Sequence, residues 1–240
     1  MPLKTRKSSL FYRTPVNAIS LHHCLKVSLT SNPAAPIWRL RTESPDLLLD
    51  GLLHYHPALL EPEQANALYQ QLLHEIPWQQ GRVFIYGREH IIPRLQAWHG
   101  DPGICYTYSG KTLHADPWTP TLQILCQQLN QLTGLQLNAV LCNLYRDGQD
   151  CMGWHADDEQ ELGENPRILS LSLGAERDFA LRRKGSSRQS GILPLASGSL
   201  LDMQPGMQRH WQHSLPKRAR IRQPRINLTF RTIYPLKPVI

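Results

Sequence analysis

The hydrophobic period of this 240-residue chain changes once, near Gly134, and that change restricts its folds more than any other feature. Before it, two segments repeat at helical spacing. Ala65, Leu68, Tyr69, Leu72, Leu73 and Ile76 put an apolar stripe on a helix over 61–76, with Pro62 suited to its first turn. Leu122, Leu125, Cys126, Leu129 and Leu132 do the same over 119–132, where Thr119 can cap, Pro120 can open and Gly134 can stop the helix. After Gly134 the period is two. Segments 137–146, 168–173, 178–183, 199–203, 209–214 and 225–233 read as short strands. Asp147-Gly148, Lys184-Gly185, Ser197-Gly198 and Pro205-Gly206 supply turns between several of them. Helices followed by many short strands predict an α+β domain whose core is a sandwich or barrel.

Composition narrows the class. With 41% apolar and 19% charged residues the chain can bury a real core. No run of about 18 apolar residues is present, so no membrane-spanning helix is expected. The N-terminus lacks the apolar stretch of a secretory signal. Five cysteines without a C-x-x-C pair point to reduced thiols rather than a disulfide framework or a zinc ribbon.

Charge is unevenly placed. Residues 1–42 hold seven basic residues and no acid, and read as a disordered basic arm before a single folded domain over 43–240. An organelle transit peptide or an over-long gene start has the same composition. Residues 43–176 carry 6 basic and 17 acidic residues, whereas 177–231 carry 12 basic and 2 acidic. A positive face on a neutral body suits a polyanion such as nucleic acid; an ordinary solvated surface is the alternative.

Three patterns carry chemistry. In Trp154-His155-Ala156-Asp157 an imidazole and a carboxylate share one strand face and can meet on a cation. A third ligand can come from His210 or His213, which lie three apart in an expected strand and so on opposite faces. Two histidines and a carboxylate form the facial triad of non-haem Fe(II) oxygenases. Alternation over 225–231 places Arg225, Asn227, Thr229 and Arg231 on one face and Ile226, Leu228 and Phe230 on the other. Inward arginines call for an anionic partner such as a dicarboxylate; outward ones would simply be wet. Asn143 and Tyr145 share a face of 137–146 and offer neutral hydrogen bonds.

Together these residues resemble the AlkB family, Fe(II)- and 2-oxoglutarate-dependent dioxygenases that demethylate nucleic-acid bases. The resemblance runs through Asn143-Leu-Tyr145-Arg-Asp-Gly, His155-Ala-Asp157-Asp158-Glu159, Ser-Leu-Gly-Ala-Glu-Arg-Asp-Phe at 172–179, Gly198-Ser-Leu-Leu, His213 and Arg225-Ile-Asn-Leu-Thr-Phe-Arg231. It covers roughly 80–233 and is nearest the branch that repairs alkylated double-stranded DNA. It implies a double-stranded β-helix (jelly-roll) core with supporting N-terminal helices and a substrate-recognition lid. His155, Asp157 and His213 become the Fe(II) ligands and His210 a bystander. Asn143, Tyr145, Arg225, Asn227, Thr229 and Arg231 become 2-oxoglutarate contacts, with O2 as co-substrate.

The resemblance also marks substrate contacts. Ile85-Tyr86-Gly87 is similar to the finger wedged into the duplex, with Arg88 and Arg94 holding the strand beside the lesion. Tyr106 and Tyr108 resemble the segment that sandwiches the flipped base, and Asp158 is placed to contact its exocyclic amine. Arg182-Arg183-Lys184 and Lys217-Arg218-Ala219-Arg220 fit backbone phosphates. The implied reaction is oxidative demethylation of 1-methyladenine and 3-methylcytosine in DNA with release of formaldehyde, by a monomer that prefers duplex but accepts single strands. The location follows as cytoplasmic in a bacterium, nuclear or organellar in a eukaryote. The alternatives are the same chemistry on RNA or a protein side chain, and a catalytically inert nucleic-acid-binding module.

Overall fold

The structure, a computed structural model, describes residues 38–85, 88–108 and 111–234. Both expected helices form. Helix α1 (Pro62–Glu75) opens on Pro62 and buries Ala65, Leu68, Tyr69 and Leu72. Helix α2 (Pro120–Thr133) is capped by Thr119, whose Oγ1 accepts from the Leu122 N–H at 3.3 Å, and Gly134 ends it in the left-handed conformation.

Strands β1 (Asp46–Leu48) and β2 (Leu53–His56) precede α1. Between the helices lie β3 (Gln79–Ile85), β4 (Arg88–Gly100), β5 (Cys105–Tyr108) and β6 (Lys111–His114). After α2 come β7 (Ala139–Tyr145), β8 (Met152–His155), β9 (Ile168–Gly174) and β10 (Arg177–Arg183). The chain finishes with β11 (Gly191–Leu195), β12 (Leu200–Met203), β13 (Trp211–Leu215) and β14 (Arg225–Arg231). The six strands before Gly134 correct the helices-first reading. They are short or interrupted: β4 carries Pro93 in mid-strand, and β5 and β6 have four residues each, so no sustained alternation marks them.

A large sheet has the order β1-β2-β12-β9-β14-β7-β4-β3 and a small one β11-β10-β13-β8, all antiparallel, while β5 and β6 form a separate hairpin. From β7 onward each connection crosses from one sheet to the other, except at the β10–β11 hairpin. That winding is a double-stranded β-helix, a jelly-roll variant.

The large sheet is covered on both faces. Val140, Cys142, Leu144, Leu169, Leu171, Leu173, Ile226, Leu228 and Phe230 pack in one cluster with α1 and α2. The opposite face looks across to the small sheet, where Leu53, Tyr55, Leu201, Met203, Phe179, Leu181, Leu195 and Trp211 pack together. Trp38 is buried in the helix-side cluster, and Gln128 Nε2 donates to its carbonyl at 2.5 Å. Residues 38–42 therefore belong to the fold rather than to an arm, and residues 1–37 lie outside the described residues.

Candidate metal and co-substrate site

The register of the sheets assembles the site. In the small sheet His213 on β13 is the direct cross-strand partner of His155 on β8. Their ring centroids are 4.2 Å apart, edge to face, and His213 also stacks on Phe179 at 4.9 Å. Asp157 follows β8, and one ligand atom from each of His155, Asp157 and His213 lies within 4.8 Å of the others. His210 ends a single helical turn, Met207–His210, and is exposed. The strand expected from residue 209 begins at Trp211, so the choice between the two histidines follows from where the helical turn stops, not from strand alternation.

Each ligand is held in the form a cation needs. A carbonyl can only accept, so the 2.9 Å contact from His155 Nδ1 to Gly153 O fixes the proton on Nδ1. In the neutral ring the lone pair is then on Nε2, which lies 3.8 Å from Asp157 Oδ1. Burial pushes His213 down to about 3, with His155 adding to the effect, so its ring is neutral. Its Nδ1 is buried without a hydrogen-bond partner among the described residues. Burial by itself would raise the Asp157 carboxyl, but Arg231 and the two histidines outweigh it and hold it at about 2. Arg231 Nη2 donates to Asp157 Oδ1 at 2.9 Å, and the Asp157 N–H donates to Gln208 Oε1 at 3.0 Å.

These groups lie in a cavity of about 410 Å³ between the sheets. At its other end β14 and β7 align Arg225 with Tyr145 and Asn227 with Asn143. Arg225 is 2% exposed; its Nη2 donates to Ser172 Oγ at 2.9 Å, whereas Nε and Nη1 have no partner among the described residues. Its charge centre lies 5.4 Å over the Tyr145 ring. Burial pushes this guanidinium down to about 10, a shift that an anion beside it would reverse. Two imidazoles, one carboxylate, and a buried cation with two donors unused among the described residues fit a divalent metal and a carboxylate-bearing co-substrate.

The family profile described as 2OG-Fe(II) oxygenase superfamily matches residues 52–231. The chain belongs to that superfamily. Human "DNA oxidative demethylase ALKBH2" is 41% identical over 210 residues, 83% of this chain and 78% of the relative. "Alpha-ketoglutarate-dependent dioxygenase alkB homolog 3" from Bos taurus is 41% identical over 188 residues, 75% of this chain and 65% of the relative. These place the oxygenase in the AlkB-like DNA-repair branch. A solved structure described as "The structure of OsALKBH1" shares the fold, with a TM-score of 0.51 at 18% identity over 75% of this chain and 97% of that one. Members of the superfamily use Fe(II), 2-oxoglutarate and O2, and the donor set just described suits all three.

The oxygenase brings most of the expected residues into this cavity, with three corrections. Asn143, Tyr145, Arg225, Asn227, Thr229 and Arg231 all line it. The Asn227 amide, however, donates to Ser170 Oγ and Leu171 O, and its Oδ1 accepts from Thr229, so it faces its own sheet rather than a ligand. Asp158 is exposed and accepts from Lys184 Nζ at 2.6 Å; it is Glu159, two residues beyond Asp157, that lines the cavity with a buried Oε2 unpartnered among the described residues. Arg94 is 5% exposed and also lines the cavity, so it cannot hold a strand outside it. Arg88 is exposed on the β3–β4 ribbon. Tyr86 and Gly87 lie outside the described residues, as do the side chains of Ile85, Tyr106 and Tyr108.

Arg177, to which the sequence reading gave no separate role, supports the basic face together with residues already named for it. Arg177 is buried and donates to the carbonyls of Asp147, Asp150 and Pro216. Arg218 N–H donates to Gly148 O, and Gly148 N–H donates to Ile221 O. A Cβ on Gly148 would come within 1.7 Å of Arg218 O, so glycine alone lets the basic loop dock on this turn. Arg182 lies 4.5 Å over the Trp154 ring.

Proposed function

We propose that this oxygenase oxidatively removes N-methyl groups from DNA bases. One observation carries the reading. The His155–Asp157–His213 cluster and the unused donors of Arg225 open into one cavity that is also lined by a half-buried carboxylate, Glu159, whose buried Oε2 has no hydrogen-bond partner among the described residues. 1-Methyladenine and 3-methylcytosine are cationic and carry an exocyclic amino donor, so an acceptor oxygen of a carboxyl group lining the cavity suits their N–H. The relatives named as DNA oxidative demethylases support DNA as the polymer.

His155, Asp157 and His213 would hold Fe(II), and Arg225 with Tyr145 would take a carboxylate of 2-oxoglutarate. The bound metal, 2-oxoglutarate and O2 together supply an oxidant for the N-methyl carbon, yielding succinate, CO2 and a hydroxymethyl base that releases formaldehyde. Arg231 keeps Asp157 ionised and turned to the metal, and Gln208 fixes the backbone that carries it. Phe179 and Met203 line the cavity with apolar surface that keeps water from the reaction. Lys217 and Arg220, exposed on the docked loop, suit phosphates of a duplex, with a single strand also accepted and the enzyme acting as a monomer. Among the described residues no helix is long and apolar enough to cross a membrane.

The test is an anaerobic titration with Fe(II) and 2-oxoglutarate, then air, on a duplex carrying 1-methyladenine. Formaldehyde stoichiometric with succinate, and neither product from Asp157→Ala, is the expected result. Succinate without formaldehyde from either methylated base would overturn the substrate assignment, and equal turnover on RNA would overturn DNA as the polymer.

A further inference from the structure

Arg94 is a buried cation with no carboxylate at ion-pair distance among the described residues. Its Nε donates to Asn143 Oδ1 at 2.7 Å, and its Nη1 makes a longer contact with Cys151 O at 3.4 Å. Guanidinium has no acceptor, so the Asn143 atom it touches must be the amide oxygen. Gln96 Nε2 donates to the same oxygen at 3.0 Å. With both donors on Oδ1, the Asn143 NH2 cannot turn back toward β4 and is the group left to the cavity that Asn143 lines.

The neighbours hold this arrangement in place. Gln80 Nε2 donates to the carbonyls of Ile92 and Arg94, fixing the β4 backbone on either side of Pro93. A Cβ on Gly81 would lie 2.9 Å from Gln96 Oε1 and from Ile92 Cδ1, so the β-bulge at this position leaves room for Gln96. The Cys151 N–H donates to Pro93 O at 3.1 Å, joining β4 to the segment that leads into β8.

We propose that Arg94 is a positioning residue for 2-oxoglutarate. It acts through Asn143, presetting the amide so that its N–H groups face the co-substrate before binding. A positive charge held close behind that amide also favours an anion in front of it. This rests on the co-substrate reading of the cavity above, and it replaces the expected strand-holding role of Arg94.

Mn(II)-loaded protein, titrated calorimetrically with 2-oxoglutarate, tests it without turnover. Arg94→Met should raise the Kd for 2-oxoglutarate about tenfold and leave the Kd for unmodified duplex within about twofold. Arg94→Lys, which keeps one donor and the charge, should recover part of the loss. In an Asn143→Ala background Arg94→Met should add almost nothing, because its route to the co-substrate is already gone. Additive losses in the double variant would overturn the proposal, as would unchanged 2-oxoglutarate binding with weakened duplex binding. If the unsubstituted protein fails to bind 2-oxoglutarate, the co-substrate reading itself falls, and the role of Arg94 with it. Binding by the parent but not by a folded Arg94→Lys would also count against the proposal, since a shared donor should rescue.

Discussion

The two faces of the central strands of the large sheet are both buried and chemically opposite. On β14, Ile226, Leu228 and Phe230 are wholly enclosed against the helices, and Arg225, Thr229 and Arg231 are as little as 2% exposed toward the small sheet. The same alternation recurs on β7, with Val140, Cys142 and Leu144 against Asn143 and Tyr145, and on β9, with Leu169 and Leu171 against Ser170 and Ser172. Burial on the helix side lowers free energy by removing apolar surface from water. On the cavity side it raises free energy, because charged and polar groups lose water before a ligand replaces it. One face stabilises the fold, and the other keeps binding free energy in reserve for a ligand.

Substitutions at neighbouring positions on β14 should separate the two faces. Leu228→Ala removes a fully enclosed side chain and should cost about 2–5 kcal/mol of stability, while the molecules that remain folded keep their affinity for 2-oxoglutarate. Arg225→Met should do the reverse. Losing the unused donors should weaken 2-oxoglutarate binding on the order of 100-fold, about 2.7 kcal/mol. The melting temperature should hold or rise, because a buried charge without an anion is replaced by an apolar chain of similar length. Urea titration and calorimetry on both variants measure each quantity. A lower Tm in Arg225→Met would mean that its Ser172 bond and Tyr145 stack stabilise the fold after all.

The same contrast explains what could be read before the fold was known. Alternation over 225–231 is plain in the sequence, but it was weighed as one dry face against one wet face. A strand covered on both sides shows identical alternation whenever its second face binds a polar ligand. The i, i+2 spacing that united His155 and Asp157 also points to Glu159 over Asp158 if carried one step further, although β8 ends at His155. Resemblance drew attention to Asp158 instead. The partners of Arg94, Gln208 and Arg177 left no local signal, since each residue acts on a backbone or amide far along the chain. Trp38 was missed because a single anchoring ring creates no period. The helices were legible because caps and stripes are local, and strands β1 and β2 were not, because they have three and four residues.

The helix-side layer also contains a polar knot, and pH should reveal it. Glu75 at the end of α1 accepts from the Thr121 N–H and Oγ1 and from Gln71, joining the two helices. Burial pushes its carboxyl up, but hydrogen bonds from Thr119, Thr121 and Gln71 outweigh that and hold it below its ordinary value of 4.5. The unfolded chain therefore binds this proton more readily. Its contribution to stability is complete above about pH 4.5 and is lost as pH falls through the folded value. Glu75→Gln should flatten the acid limb of a stability-versus-pH curve and leave 2-oxoglutarate affinity unchanged. An equally steep limb would place the acid-sensitive group elsewhere.

The smallest effect should come from outside both faces. Lys217 is exposed on the loop that docks against Gly148, and no ion pair is recorded for it among the described residues. Lys217→Ala should leave stability and 2-oxoglutarate affinity unchanged, because neither sheet face senses it. Duplex binding should weaken by a similar factor for every sequence tried, and the slope of log K against log salt should fall by about one. Arg218→Ala is the sharper control: its side chain pairs with Asp178, so the same loss of a charge should also loosen the loop and lower duplex affinity beyond the salt-slope change. If the two variants have equal effects, the loop contributes charge alone and its docked conformation is irrelevant to the duplex. If Arg218→Ala loses more, the Gly148 docking sets where those charges meet the phosphates.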